Sequence, residues 1–119
     1  MKERMTKITG LNEYQQRALE TWINHSTESN YNIIYPTLGL VGESGEVAEK
    51  IKKLLRDHNG MLDDEMRHAI ALEISDVAWY LATLSYELGF TLQEIAEMNY
   101  EKLQSRKRRN KIHGDGDNR

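Results

Sequence analysis

Apolar residues recur every three to four positions along four segments of the chain, and this spacing predicts four helices. The predicted helices cover residues 12–25, 36–58, 63–89 and 91–106. A single proline and the lack of alternating β-branched runs favour helix throughout. We expect residues 26–35 to form a polar loop, residues 1–10 a loose N-terminus and residues 107–119 an irregular tail. These elements form a single domain, residues 1–119.

The clearest boundaries lie in the second half of the chain. Asn59-Gly60 suits the left-handed stop of the second helix. Thr91 and Glu94 form the capping-box pattern that begins the fourth. On the third helix one narrow apolar arc is predicted, made of Met66, Ile70, Ile74, Val77, Leu81, Leu84 and Leu88. Short connections between the last three helices predict an all-α, four-helix bundle, and so small a chain suggests that an oligomer completes its core.

Composition narrows the function classes. The net charge of −3 argues against a broad nucleic-acid surface, although basic residues cluster within 106–111. The absence of cysteine excludes disulfides and thiolate chemistry. No apolar run approaches the ~20 residues of a membrane span, and the start lacks a signal-peptide core. We therefore expect a cytoplasmic protein without a membrane or nucleic-acid partner.

Four acids border the apolar stripes of the second and third helices. On a helical wheel Glu43 lies at the edge of its stripe with Glu46 just past it, and Glu73 and Asp76 repeat this arrangement. In an antiparallel hairpin about Gly60, residues at equal height have numbers of constant sum. Glu43 then faces Asp76, and Glu46 faces Glu73. The sequence predicts that four carboxylates converge.

Four converging carboxylates repel one another unless a cation lies between them. Oxygen ligands without cysteine or histidine indicate Mg²⁺, with Mn²⁺ as the alternative. A single pair of acids three residues apart is usually a solvated helix face. Here the shared height and the shared stripe edge, together with nearby lysines and a tyrosine suited to phosphate, favour a metal site.

At these residues the sequence resembles the MazG-like nucleotide pyrophosphohydrolases. Their pattern of two acids on each of two successive helices stands here as Glu43-Ser44-Gly45-Glu46 and Glu73-Ile74-Ser75-Asp76. The similarity extends to residues 14–15, 38–40, 99–103 and 114–119. It covers most of residues 11–119 and points to a small single-domain member.

The resemblance implies that a nucleoside triphosphate is hydrolysed between its α- and β-phosphates, giving a nucleoside monophosphate and pyrophosphate. The four acids would hold Mg²⁺ on the phosphates. Glu46 would act as the general base, with Glu43 as the alternative. Lys50, Lys53 and Tyr80 would contact phosphate oxygens, although the lysines also suit the C-terminal half of a helix as surface charge.

The resemblance further implies a homodimer or homotetramer with the site near the subunit interface. In this family the C-terminal segment can approach the phosphates, and Lys102, Arg106 and Arg119 are therefore further candidates for phosphate binding.

Trp22, His25 and Trp79 are candidates for stacking on a nucleobase, although such aromatic residues more often belong to the core.

Two function classes remain open from the sequence. One is the pyrophosphohydrolase. The other is a non-catalytic helical protein that binds a partner or regulates it and keeps a structural metal. Release of pyrophosphate from nucleotides in the presence of Mg²⁺ distinguishes them.

Overall fold

The computed structural model describes residues 7–23, 25–28 and 30–118. These residues form four helices and no strand: α1 is Leu11–Leu19, α2 Tyr31–Asp57, α3 Asp64–Glu87 and α4 Leu92–Arg108. The predicted all-α class is confirmed. Helices α2 and α3 pack as a long antiparallel hairpin, α1 lies against α3, and α4 contacts both α1 and α3.

The hairpin turn follows the predicted stop signal. Asn59 and Gly60 both have positive φ, at 52° and 74°. The amide groups of His58 and Gly60 donate to the Leu54 carbonyl, so the chain leaves α2 with its last carbonyls partly satisfied. Asp63 then caps α3, because its carboxylate accepts the Met66 amide hydrogen at 2.8 Å.

The contact between Gly39 and Tyr80 fixes the register of the hairpin. A Cβ atom at Gly39 would lie 2.1 Å from Cε1 of Tyr80, so only glycine lets the phenol ring rest on the α2 backbone. Gly39 and Tyr80 obey the constant sum that also pairs Glu43 with Asp76. Around Gly42 and Gly45 the structure leaves open space. Of the three glycines spaced along this face, only Gly39 is required by packing within the protomer.

Helix α1 is shorter than predicted. It ends at Leu19, and the Thr21 and Trp22 amide groups donate to the Ala18 and Leu19 carbonyls in a tightened last turn. The predicted continuation to His25 is wrong. Leaving the helix carries the Trp22 ring against Trp79, and the indole becomes 95% buried. Burial of that large ring outweighs the few helical hydrogen bonds that are lost.

Helix α2 begins earlier than predicted. It starts at Tyr31, so the loop expected for residues 26–35 is wrong in its second half, and Pro36 lies inside the helix. Tyr31 stacks on Tyr35, and Tyr35 stacks on Trp22, with ring centroids 5.8 and 5.7 Å apart. These contacts stabilise an extra helical turn despite the amide hydrogen that Pro36 lacks.

The capping box of α4 is confirmed. The Thr91 hydroxyl accepts the Glu94 amide hydrogen, and the Glu94 carboxylate accepts the Thr91 amide hydrogen. Helix α4 continues to Arg108, two residues past the predicted end. Beyond it the chain bends back, and the Asp117 carboxylate lies 3.4 Å from both Lys102 and Arg106.

The protomer has a small buried core. Among the described residues the fully buried apolar side chains are Ala18, Trp22, Pro36 and Ala82. Ile74, Leu81 and Leu88 are 54%, 41% and 51% exposed, so the predicted arc of α3 is divided between two faces. Met66, Ile70, Val77 and Leu84 are half-buried, whereas the other three lie in the open.

No described helix combines the length and the apolar character needed to cross a bilayer.

Candidate functional site

Three carboxylates meet between α2 and α3. Glu43 comes from α2, and Glu73 and Asp76 come from adjacent turns of α3. Each offers an oxygen atom, and these three atoms lie within 4.8 Å of one another. The spacing of three residues places Glu73 and Asp76 on one face, and the register set at Gly39 brings Glu43 to the same height.

Glu46 does not join this cluster. Of the four carboxylates that were predicted to converge, three do so in this structure, and Glu46 is exposed beside them. One turn along α2 from Glu43, its position has rotated further from α3, and repulsion among carboxylates favours outward rotamers. Glu46 still acts on the site, because its charge contributes to raising the pKa of Glu43.

The electrostatics of the cluster suit a hard cation. Partial loss of water raises the pKa of Glu43, and a hydrogen bond with Glu73 and the charges of its acidic neighbours raise it further. Glu43 therefore holds a proton more tightly than an isolated glutamate does. Closely spaced carboxylate oxygens without sulfur or imidazole are the donors that Mg²⁺ and Mn²⁺ prefer. The donor set therefore fits the predicted metal.

A lysine lies at one side of the acids. The Lys50 ammonium group is 3.6 Å from the Glu73 carboxylate, and both side chains are partly shielded. Lys53, one turn further along α2, lines a groove with Lys50. Both lysines therefore lie on the side of the cluster that is nearer the hairpin turn.

Tyrosine hydroxyl groups lie on the opposite side. Partial burial, then the neighbouring Tyr35, Glu43 and Asp76, raise the pKa of Tyr80. Partial burial and the charge of Asp76 raise the pKa of Tyr14. Tyr80 was a predicted site residue. Tyr14 and Tyr35 were not among the predicted site residues, and Tyr35 was expected in the loop of residues 26–35.

The predicted base-binding aromatic residues divide into two kinds. Trp22 and Trp79 are joined edge-on, and their indole groups donate to Glu87 and Thr21 at 3.1 and 2.8 Å. Both are therefore engaged in holding α1 to α3. His25 is exposed, lies outside any helix, and keeps one ring nitrogen 3.2 Å from the Trp22 carbonyl oxygen.

Two of the C-terminal candidates, Lys102 and Arg106, lie together. Arg106 is 4% exposed and donates to the Gly116 and Asp117 carbonyls as well as to the Asp117 carboxylate. Hydrogen bonding and charge from Lys102, then from Arg106, lower the pKa of Asp117. In this arrangement Lys102 and Arg106 hold the tail. Arg119 lies outside the described residues.

The protein is thus all-α in the part of the chain that the structure describes. It has an acidic cluster between two antiparallel helices, with cations toward one end and aromatic rings toward the other. Residues 36–110 match the MazG nucleotide pyrophosphohydrolase domain. The chain belongs to this family.

The chain is also similar to the Gene 37 protein of Mycobacterium phage L5. The two are 47% identical over 92 residues, which is 77% of this chain and 81% of that protein. No solved structure shows significant similarity to the chain.

Proposed function

We propose that the protein is a Mg²⁺-dependent nucleoside triphosphate pyrophosphohydrolase that cleaves the bond between the α- and β-phosphates. The observation that carries the proposal is the cluster of Glu43, Glu73 and Asp76 within 4.8 Å, beside Lys50. Membership of the MazG family supports the same reaction class. Mn²⁺ is the alternative metal, because it accepts the same oxygen ligands.

Glu43, Glu73 and Asp76 would hold the metal, with Glu46 as a fourth acid within reach of the same space. Bound there, the metal would neutralise charge on the phosphates and lower the pKa of water. Glu46 is the best candidate for the general base. Its carboxylate stands outside the three-acid cluster, so it stays available to accept a proton from the attacking water. Glu43 is the alternative.

Lys50 and Lys53 would bind the phosphates that leave. Both lie toward the hairpin turn, and their positive charge matters most as negative charge builds on the leaving oxygens. The Tyr80 hydroxyl, beside Glu43 and Asp76, would donate to a phosphate oxygen on the other side. Lys102 and Arg106 could contribute only after exchanging their Asp117 contact for a phosphate.

The nucleoside would lie toward the aromatic end of the hairpin. Tyr80 is one turn along α3 from Asp76, about 6 Å along the axis, which suits the distance from a reacting phosphate to a sugar and base. Tyr35 and His25 are partly exposed there and offer ring faces. Trp22 stacks on Tyr35, and Trp79 meets Tyr80 edge-on, so both indole rings would take an indirect part in base binding while they remain packed in the core.

A second copy of the chain would complete the bundle, as a homodimer or as a homotetramer built from dimers. The accessible surface is 9444 Å², whereas a compact monomer of 13.9 kDa exposes about 6,700 Å². On α2 an exposed apolar stripe runs along one face, formed by Ile34, Leu38, Val41, Ala48 and Leu55. Successive members are four, three, seven and seven residues apart, which fits the heptad spacing of a helix–helix seam. On a helical wheel this stripe lies opposite Glu43, on the face of α2 that is turned away from α3.

Hydrolysis of a panel of deoxynucleoside and ribonucleoside triphosphates with Mg²⁺ tests the reaction. In water labelled with heavy oxygen, we expect the label in the nucleoside monophosphate or in pyrophosphate, and no orthophosphate. Glu46→Gln should reduce kcat by about 100-fold or more, as loss of a general base does. Glu49→Gln, one turn from the site and paired with Lys52, is the matched control and should leave kcat within twofold.

Release of orthophosphate and a nucleoside diphosphate would contradict the proposed bond. Failure to hydrolyse any nucleotide would favour a non-catalytic, partner-binding protein with a structural metal.

Light scattering tests the assembly. We expect at least a dimer for the wild type and dissociation for Leu38→Glu, because a charge in an apolar seam is costly. An active wild-type monomer would contradict the proposed assembly.

A further inference from the structure

A groove continues from the acids toward the hairpin turn. Its volume is about 150 Å³, and it lies between the C-terminal half of α2 and the first turns of α3. Its floor is apolar and is formed by Leu54, Met66, Ala69 and Ile70. None of the roles proposed above for phosphate, metal or nucleoside uses this floor.

The rim of the groove is cationic. Lys50 and Lys53 line it on the α2 side, and His58 closes its far end. Two inorganic phosphates would satisfy the lysines but would gain nothing from an apolar floor, because anions lose hydration there. A ligand with an anionic link and an apolar or aromatic body fits both parts of the groove.

The position of the groove along the helices determines which part of a bound nucleotide can enter it. Ile70 is one turn from Glu73, and Met66 is seven residues from Glu73, about 10 Å along the axis. The β- and γ-phosphates of a nucleotide held on the acids would extend past Lys50 toward Lys53. The apolar floor lies beneath that path and continues past it. A group attached to the terminal phosphate would therefore enter the groove.

Building on the proposed hydrolysis, we propose that this groove is a subsite for an organic group esterified to the terminal phosphate of the substrate. The substrate class then includes nucleoside triphosphates with an aryl or nucleoside group on the γ-phosphate. Water attacks the α-phosphorus and loses a proton to the general base. The bond from the α-phosphorus to the bridging oxygen breaks, and that oxygen departs with the substituted pyrophosphate. The nucleoside monophosphate keeps the oxygen of water.

Competing substrates test the subsite directly. The probe is a deoxynucleoside triphosphate that carries a phenyl ester on its γ-phosphate, compared with the same nucleotide without the ester. We expect the wild type to hydrolyse the ester with a kcat/KM at least equal to that of the parent, releasing phenyl pyrophosphate. Ala69→Leu places a larger side chain in the floor and should lower the ratio of ester to parent kcat/KM by about tenfold. Ala69→Ser keeps the space and should leave that ratio unchanged.

Binding without turnover gives an independent measurement. The α,β-methylene analogue of each nucleotide is added to protein labelled with ¹³C at the methionine methyl groups. We expect the phenyl ester to shift the Met66 methyl resonance strongly through the ring current, and the unsubstituted analogue to shift it little. Met66→Leu assigns that resonance.

The outcomes separate the subsite from the reaction. If the protein hydrolyses the parent nucleotide but not the phenyl ester, the subsite is overturned and the proposed reaction is not. The same holds if the parent nucleotide is hydrolysed but the Met66 resonance does not respond to the phenyl group. An unchanged ratio in Ala69→Leu overturns it as well. Loss of all pyrophosphohydrolase activity in the wild type overturns the proposed function, whereas the response of Met66 to the phenyl group would still support the groove as a binding site.

Discussion

The middle and the C-terminal end of α3 lie on one helix and are built in opposite ways. At the C-terminal end, Gln15 is 2% exposed, donates to the Ala82 and Phe90 carbonyls and accepts the Leu92 amide hydrogen. These three hydrogen bonds form within the protein and require no ligand. In the middle, Glu73 and Asp76 face a third carboxylate, and their repulsion is only partly offset by Lys50.

The difference shows which part of the helix carries stability and which carries chemistry. The Gln15 contacts join α1, the end of α3 and the start of α4 through neutral groups, which hold geometry at any pH in the physiological range. The carboxylates instead store unfavourable charge that a metal can relieve. The rigid end keeps the charged middle in register, because both belong to one continuous helix.

The largest expected effect comes from removing one acid of the cluster. Glu73→Gln and Asp76→Asn should each reduce Mg²⁺-dependent turnover by about 100-fold or more, because a hard cation loses a ligand. Metal-free stability should stay equal or rise, since repulsion is relieved. Turnover is measured across Mg²⁺ concentrations, and unfolding is followed in urea without metal. Asp64→Asn, at the exposed start of α3, is the control. Near-normal turnover at low Mg²⁺ in either variant would exclude the cluster as the metal site.

The reverse result is expected at the C-terminal end of α3. Gln15→Leu removes one buried and two partly buried hydrogen bonds and leaves backbone groups unpaired, which should cost about 2–4 kcal/mol of unfolding free energy. Gln16→Leu changes the exposed neighbour and should stay within about 0.5 kcal/mol. Urea denaturation of the two variants measures both values. A loss below about 1 kcal/mol in Gln15→Leu would remove the contrast between the two regions.

Gly39 tests how tightly the register at the site is held. Gly39→Ala places a methyl group inside the Tyr80 ring and should cost about 1–3 kcal/mol. Gly42→Ala meets open space in the same helix and should stabilise by about 0.5–1 kcal/mol. Thermal unfolding of both variants, and of Gly39→Ala combined with Tyr80→Ala, measures the contact. A cost that persists fully in the double variant would locate the strain elsewhere.

The smallest effect is the pH dependence of the cluster. Because the pKa of Glu43 is raised, the folded state binds its proton more tightly than the unfolded state does. Protonated Glu43 therefore stabilises the metal-free protein at pH values below 4.5, the ordinary pKa of a glutamate. This contribution to the free energy of unfolding is lost as the pH rises through the raised pKa of Glu43 in the folded state. Glu43→Gln should lack this loss. The urea midpoints of the wild type and of Glu43→Gln are measured from below pH 4.5 upward. We expect the variant's midpoint to rise relative to the wild type's as the pH increases, and a change in the opposite direction would contradict the prediction.

The sequence determined what depends on neighbours along the chain. The turn at Asn59-Gly60 and the Thr91 capping box each act within one helical turn, and their local signals were sufficient to predict them. The acids followed from helical spacing and from the register that the turn imposes. These features are local, so a single sequence specifies them.

Tertiary structure decided what depends on contacts between distant segments. The stack of Tyr35 on Trp22 ended α1 early and began α2 early, against the local signals of a polar loop and a proline. The rotation of Glu46 away from the three-acid cluster and the close approach of Tyr80 to Gly39 likewise depend on how two helices meet. Helical periodicity gives the face of each residue to within a wide angle, whereas ångström-scale distances between side chains are set only when the helices pack.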